Sequence, residues 1–279
     1  MGTIVMSGLS PHPPIMLPEI GGAELRKCMK SRLGLQEFSR RLAESGAEAL
    51  VLFTPHGPVF RDALTLYAVK KYAGSFSRFG FPSLRIESPG LPDLANRIFE
   101  LSASKRIPIL KLEEDTFARH GIPEEIDHAT MVPLRYFEEA GVRLPMVLVS
   151  MGLLPYPQLF EFGRCVAEAI ASGTRKVAVV ASGDLSHRLL PSAPAGFDPI
   201  GAEFDEKMVD FLSRRDAAAI LGIDETLIER AGECGFRPIA MMLGATDTVA
   251  GDWEKEVISY EGPFGVGYAV VSYRPAGRG

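Results

Sequence analysis

Two short stretches of the chain hold a histidine between residues that stiffen the backbone. Residues 10–14 read SPHPP, with His12 between prolines, and residues 54–58 read TPHGP, with His56 between a proline and a Gly-Pro step. Proline fixes its own φ, removes an amide donor and pushes the residue before it toward extended backbone. Both imidazoles are therefore expected at fixed positions. Imidazole is the commonest side-chain ligand for transition metals, and rigid flanks lower the ordering cost of placing two of them. A carboxylate added to two histidines would complete a facial set of the kind that holds non-haem Fe(II). Glu233, in the Gly-framed turn GECGFRPI, is the candidate that stands out, with the soft donor Cys234 beside it as the alternative. By type alone, Glu233 also reads as a carboxylate at a helix N-terminus and Cys234 as a small buried hydrophobe.

The chain has five histidines, so each position is informative. His187 lies in SGDLSH, just after an apolar run. His128 lies in DHATMVPL at an expected helix start, with Asp127 as its cap, and His120 lies in the preceding loop. Any one of these alone reads as an ordinary structural histidine. Other chemistries are poorly supported. The sequence contains no HExxH, no CxxC pair and no G-x-S-x-G elbow, and its glycine-rich stretches match neither phosphate-loop fingerprint. Asp184, Asp198 and Asp205 flank His187 and could form a hydrolase-like cluster, with Ser182 and Ser186 nearby.

Short, continuous apolar runs at 3–9, 48–54, 144–151 and 176–182 predict strands covered on both faces. Helical patterns at roughly 34–46, 92–104, 129–140, 156–172, 199–213 and 235–247 alternate with them. The alternation predicts an α/β fold: a single-domain sandwich over residues 1–279, with a central, mostly parallel or mixed sheet flanked by helices. Residues 62–69 and 82–88 read as an extra strand pair, and 256–274 as a terminal hairpin around GPFG. His12, His56 and His187 each follow a predicted strand. Open α/β sheets bind ligands beyond the carboxyl ends of their strands. The Pro/Gly-rich segment 188–200 is expected to be a loop over that end, with Phe197 placed to stack on an aromatic ligand; Phe60 is a second such candidate.

Apolar residues make up 46% of the chain, which is ample for a large core. A net charge of −5 without a Lys/Arg cluster argues against a nucleic-acid partner. No apolar run approaches the length of a membrane span, and the first residues lack the pattern of a signal peptide. Three widely spaced cysteines make a disulfide framework improbable, so a cytoplasmic setting is the expectation.

The order of SPHPP, TPHGP, DHATMVPL, SGDLSH and GECGFRPI resembles that of the class III extradiol ring-cleavage dioxygenases, represented by the catalytic subunit of protocatechuate 4,5-dioxygenase. The similarity covers most of the chain. It looks closest to the branch holding the Memo proteins and the B component of the AmmeMemoRadiSam system. The resemblance implies Fe(II) held by His12, His56 and Glu233. It implies His187 as the catalytic acid–base and His128 as a second pocket histidine that contacts oxygen and substrate. The implied reaction opens a catechol-type ring with O2. The Memo branch implies Cys234 as the third ligand instead, and with it a metal-binding protein without ring cleavage, acting in a redox or AmmeMemoRadiSam-associated process. The resemblance also implies a complex with a small accessory subunit, and the edges offered by the terminal hairpin and the strand pair suit a homodimer as the alternative.

Overall fold

The computed structural model describes residues 1–276; the last three residues of the expected domain lie outside them. The strands are β1 (Thr3–Ser10), β2 (Ala49–Thr54), β3 (Leu64–Tyr67), β4 (Lys71–Phe76), β5 (Phe81–Pro89), β6 (Ile109–Leu112), β7 (Met146–Ser150), β8 (Lys176–Ser182), β9 (Trp253–Glu261) and β10 (Tyr268–Pro275). The α-helices are α1 (Pro18–Gly21), α2 (Met29–Glu44), α3 (Pro92–Ser104), α4 (Glu114–His120), α5 (His128–Glu139), α6 (Tyr156–Ala171), α7 (Ile200–Arg214), α8 (Ala217–Leu221), α9 (Glu225–Ala231) and α10 (Phe236–Asp247).

Eight strands form one mixed sheet in the order β6-β3-β7-β2-β8-β1-β10-β9. Its centre is parallel: β8 lies between β1 and β2, and β2 pairs with β7 in the same sense. β3 runs antiparallel to β7, and β10 and β9 close the other side as an antiparallel pair. The α/β expectation therefore holds, as does the terminal hairpin.

Two apolar clusters explain why the central strands read as unbroken apolar runs. On one face Val51, Phe53, Val147, Val149, Val177 and Val179 pack against α3, α6, α7 and α10. On the other, Leu50, Leu52, Leu148, Ala178 and Val180 pack against α2, α5 and the β4–β5 pair. Alternate residues of one strand thus serve opposite cores, and every position of β2 is buried. A strand of this kind carries no period-2 signal because both of its faces are dry.

The expected pairing of 62–69 with 82–88 is incorrect. β3 joins the main sheet, and β5 pairs antiparallel with β4, forming a separate two-stranded sheet. The physical reason lies at β7. The short β3 covers only Ser150 and Val149 of β7, leaving the Leu148 N–H to another acceptor. The Tyr72 hydroxyl of β4 takes it at 3.2 Å and itself donates to the Tyr67 carbonyl at 3.2 Å. The small sheet is thereby fixed on the large one. Replacing Tyr72 with Phe leaves a buried N–H and a buried C=O without this partner, which costs about 1–3 kcal/mol. Urea unfolding of Tyr72→Phe against wild type is expected to show that loss, with an unchanged m-value.

Candidate metal centre

Because β1, β8 and β2 are adjacent and parallel, their carboxyl ends emerge side by side, with Ser10 of β1 in register with Ser182 of β8. His12 leaves β1 and is 2% exposed. His56 leaves β2 and reaches the open side of the site. Their Nε2 atoms lie 3.1 Å apart. His128 opens α5 and joins them: its ring stacks on His56, with centroids 4.8 Å apart and planes 18° from parallel, and meets His12 edge-on at 5.4 Å. One ring nitrogen from each of these three residues falls within a common 4.8 Å. Asp127 sets the start of α5. Its carboxylate accepts the Thr130 N–H at 3.0 Å and the hydroxyl of Thr54, the last residue of β2, at 2.8 Å. This contact joins the His56 strand to the His128 helix.

The tautomer of His12 follows from its partner. The Ser182 hydroxyl donates its one proton to the Ala129 carbonyl at 2.6 Å. Its oxygen is then an acceptor for His12 Nδ1 at 3.0 Å, so Nδ1 carries the proton and Nε2 presents a lone pair. Such partners on the distal nitrogen are what orient metal-binding histidines.

His12 has further neighbours on its other side. Its backbone N–H donates to Asp184 Oδ1 at 3.1 Å, and its Nε2 lies 3.7 Å from Asp184 Oδ2 and 3.7 Å from Cys234 Sγ. His12, Asp184 and Cys234 form a second group with the spacing of metal ligands. It depends on a close backbone crossing. A Cβ on Gly183 would stand 2.3 Å from the Gly235 Cα, so only glycine lets the two turns meet. There the Asp184 carbonyl accepts the Gly235 N–H at 2.9 Å, and the Asp184 N–H lies 3.4 Å from Cys234 Sγ.

Glu233 falls in neither group. Its carboxylate accepts the Phe236 N–H at the start of α10, the helix-terminal arrangement open to it from sequence. His187 follows β8; its backbone N–H donates to the Ala231 carbonyl at 3.1 Å, and its buried Nε2 has no hydrogen-bond partner. Asp198 and Asp205 do not gather around it: Asp198 pairs with Arg230, and Asp205 accepts the Ser186 N–H and the Tyr260 hydroxyl. His120 closes α4 rather than lying in a loop, and its side chain is outside the described structure.

A cavity of about 610 Å³ opens beside His56 and His128. It is also lined by Arg78 and Phe79 of the turn Ser77–Phe79 between β4 and β5, and by residues of the segment 121–127. Phe79 meets the His128 ring edge-on at 5.4 Å. Phe197 is 58% exposed and does not line this cavity, and Phe60 is likewise absent from it. Phe79 was not legible as a pocket residue because nothing in its local sequence reveals that the β4–β5 turn folds over the strand exits.

The electrostatics favour a bound cation. Burial lowers the pKa of all four imidazoles at the site; for His12 the neighbouring histidines add to it, and His128 and His187 fall to about 4. They are neutral at pH 7 and keep lone pairs for a metal. Burial raises Asp184 and Glu233 to about 7 and pushes the Cys234 thiol well up. A metal ion favours the deprotonated form of such donors. Convergent neutral imidazoles, a buried carboxyl, a thiol and the unpartnered His187 nitrogen together fit a transition metal. Two imidazole nitrogens about 2.1 Å from one metal and about 90° apart stand about 3.0 Å from each other, close to the spacing of His12 and His56.

This sheet and this cluster of side chains at the strand exits define an α/β protein with histidines at the spacing of metal ligands. The chain belongs to the family described as the catalytic LigB subunit of aromatic ring-opening dioxygenase, whose model matches residues 7–271. Among curated relatives, a protein of Clostridium acetobutylicum is 32% identical over 94% of this chain; the match covers 56% of that protein, so this chain spans little more than half of it. The 3,4-dihydroxyphenylacetate 2,3-dioxygenase of Escherichia coli is 27% identical over 75% of each chain. A MEMO1 family protein of Methanosarcina barkeri is 25% identical over 85% of this chain and 84% of its own. The crystal structure of an uncharacterised Escherichia coli K12 protein shares the fold, with a TM-score of 0.64, 20% identity, and coverage of 96% of this chain and 99% of that one. Among the described residues no helix is long and apolar enough to cross a membrane.

Two outcomes are expected. Ser182→Ala removes the acceptor for His12 Nδ1 and weakens divalent-metal affinity about 10–100-fold, read by competition with a chromophoric chelator. In the metal-free protein, histidine-selective NMR will show His128 and His187 still neutral at pH 6 and protonating near pH 4, below the ordinary 6.5. The unfolded chain takes up these protons at the higher pH, so their contribution to stability falls as pH drops through that window.

Proposed function

We propose that the protein is an Fe(II)-dependent oxidoreductase that opens a catechol-type ring with O2. The observation that carries this reading is the convergence of the His12 and His56 Nε2 atoms, 3.1 Å apart, beside an aromatic-walled cavity at the strand exits. Family membership supports the choice of aromatic substrate and O2. His12 and His56 hold the metal in this reading, with Glu233 as the carboxylate ligand, a role that requires its carboxylate to turn from the Phe236 N–H it accepts in this structure. The bound metal supplies a centre that brings the diol and O2 together and lets charge pass between them.

The protein's own groups do the rest. His128, fixed at the start of α5 by the Asp127 cap, faces the cavity and contacts the reacting ligand. His187 is neutral at pH 7, and its Nε2 is committed to no protein group. His187 is not among the residues lining the cavity; in this reading it exchanges a proton with a diol bound at the strand exits. Its backbone N–H, bound to the Ala231 carbonyl, keeps it in place. Phe79 and the stacked His56–His128 pair form walls suited to a flat ring.

A second reading rests on a specific observation: Cys234 Sγ, not the Glu233 carboxylate, stands 3.7 Å from His12 Nε2. It assigns the metal to His12, His56 and Cys234, with Asp184 adjacent, in a metal-binding protein that does not cleave rings. The relationship to a MEMO1 family protein is consistent with it.

Anaerobic loading with Fe(II), metal analysis, and an assay of catechols for ring-opened product test both readings. His12→Ala and His56→Ala are expected to lose the metal; iron retained in both overturns the ligand assignment. His187→Ala keeps the metal and loses turnover by about 10²–10⁴-fold. Glu233→Gln and Cys234→Ser separate the readings. Metal loss in Glu233→Gln alone supports ring cleavage, whereas metal loss in Cys234→Ser alone, with no diol cleaved, supports the second.

A further inference from the structure

His187 differs from the other histidines at the strand exits in what holds it. His12 is fixed through Nδ1 by Ser182, and His128 stacks on His56. The buried Nε2 of His187 has no hydrogen-bond partner, so the ring takes its position from the backbone that carries it. That backbone, the irregular segment after β8, is tied down donor by donor. The N–H groups of Leu185 and Leu189 go to the carbonyls of Gly267 and Gly265, and that of His187 goes to Ala231. The Arg188 N–H goes to Ser186 Oγ, which itself donates to the Ala231 carbonyl at 3.0 Å. The remaining donor, the Ser186 N–H directly before His187, is taken by a side chain: Asp205 Oδ1 accepts it at 2.8 Å.

Asp205 lies in α7 and is 1% exposed, on a helix whose other buried side chains include Phe204, Met208 and Leu212. A carboxyl at this point does nothing for the helix: it stands beyond the first turn, and aspartate is a poor helix former. Its burial is unfavourable without partners, and both of its oxygens are engaged. Oδ2 accepts the hydroxyl of Tyr260, near the end of β9, at 2.7 Å. The backbone leaves room for the contact, since a Cβ on Gly267 would collide with Oδ2. Asp205 thus joins α7, β9 and the His187 segment in one buried contact.

We infer that Asp205, oriented by Tyr260, is a positioning residue that holds the His187 imidazole in place for proton exchange with a ligand bound at the strand exits. The inference rests on reading His187 as the proton-exchanging group. Asp205 acts through the backbone of Ser186 and takes no part in the chemistry itself.

The test reads His187 itself, by histidine-selective NMR of the metal-free full chain, with its signal assigned by its loss in His187→Gln. In wild type, burial holds the midpoint at about 4. Asp205→Ala releases the Ser186 N–H and lets water reach the ring. It is expected to raise the His187 midpoint by about one pH unit or more toward the ordinary 6.5, while His128 keeps its own. Asp205→Asn retains an acceptor for the Ser186 N–H and is expected to titrate as wild type. Tyr260→Phe frees Oδ2 and moves His187 in the same direction by a smaller step; it is the deciding variant if Asp205→Ala does not fold. A merely structural contact would lower the melting temperature without singling out His187. A midpoint unmoved in the folded variants, a shift shared equally by His128, or a shift in Asp205→Asn as large as in Asp205→Ala therefore overturns the inference. A shift in Asp205→Ala with none in Tyr260→Phe removes Tyr260 from the role and leaves Asp205 in it. The two proposals fail separately: a shifted His187 in a protein that cleaves no diol removes only the ring-cleavage reading, and an unmoved His187 in one that does removes only this one.

Discussion

One hydroxyl, that of Ser182, joins the three elements on which the site is built. It ends β8, accepts the Nδ1 proton of the histidine that follows β1, and donates to the carbonyl of Ala129 in the first turn of α5. Because it has a single proton to give, it also fixes which nitrogen of His12 carries hydrogen. The lone pair facing His56 is thus determined by the fold itself. The contact is buried, so water does not compete for it.

Around this point the protein concentrates groups that would be unfavourable elsewhere. Four imidazoles are held neutral, and two buried carboxyls are pushed toward neutrality. Burying unpaired ionisable groups is costly, and here the cost falls at the ends of three largely buried parallel strands. A cation bound there would offset that cost and favour the deprotonated form of the acids. The same arrangement explains the crossing of Gly183 and Gly235, where two turns meet closely enough to bring a thiol and a carboxylate to one imidazole.

Much of this was legible in the sequence because a parallel strand and the residue after it are tied by simple geometry. Once 3–9, 48–54 and 176–182 read as strands, His12, His56 and the segment leading to His187 must emerge at a common end, and Asp127 ahead of an apolar helix pattern gave the position of His128. Side-chain direction was not legible in the same way. Glu233 and Cys234 are neighbours, and which one faces the histidines depends on how α10 begins, where the backbone amides compete for the carboxylate. Strand order was also hidden. Residues 62–69 and 82–88 have patterns that suit a hairpin, yet the main sheet takes the first and β4 takes the second. Phe197 and Phe79 are both aromatic residues in turns, and only the packing of the small sheet decides that Phe79 reaches the pocket.

The Tyr72 contact has a consequence for how such a protein can diversify. His12 and His56 come from the exits of the large sheet, whereas Arg78 and Phe79 of the cavity lining come from an outlying hairpin pinned to that sheet by one phenol and a patch of apolar contacts. The histidine cluster and this part of the cavity lining therefore rest on separate elements. Exchange of residues in the hairpin turn can retune what enters while the donors at the strand ends stay where they are. A lineage can in this way reshape the cavity without rebuilding the histidine cluster beside it.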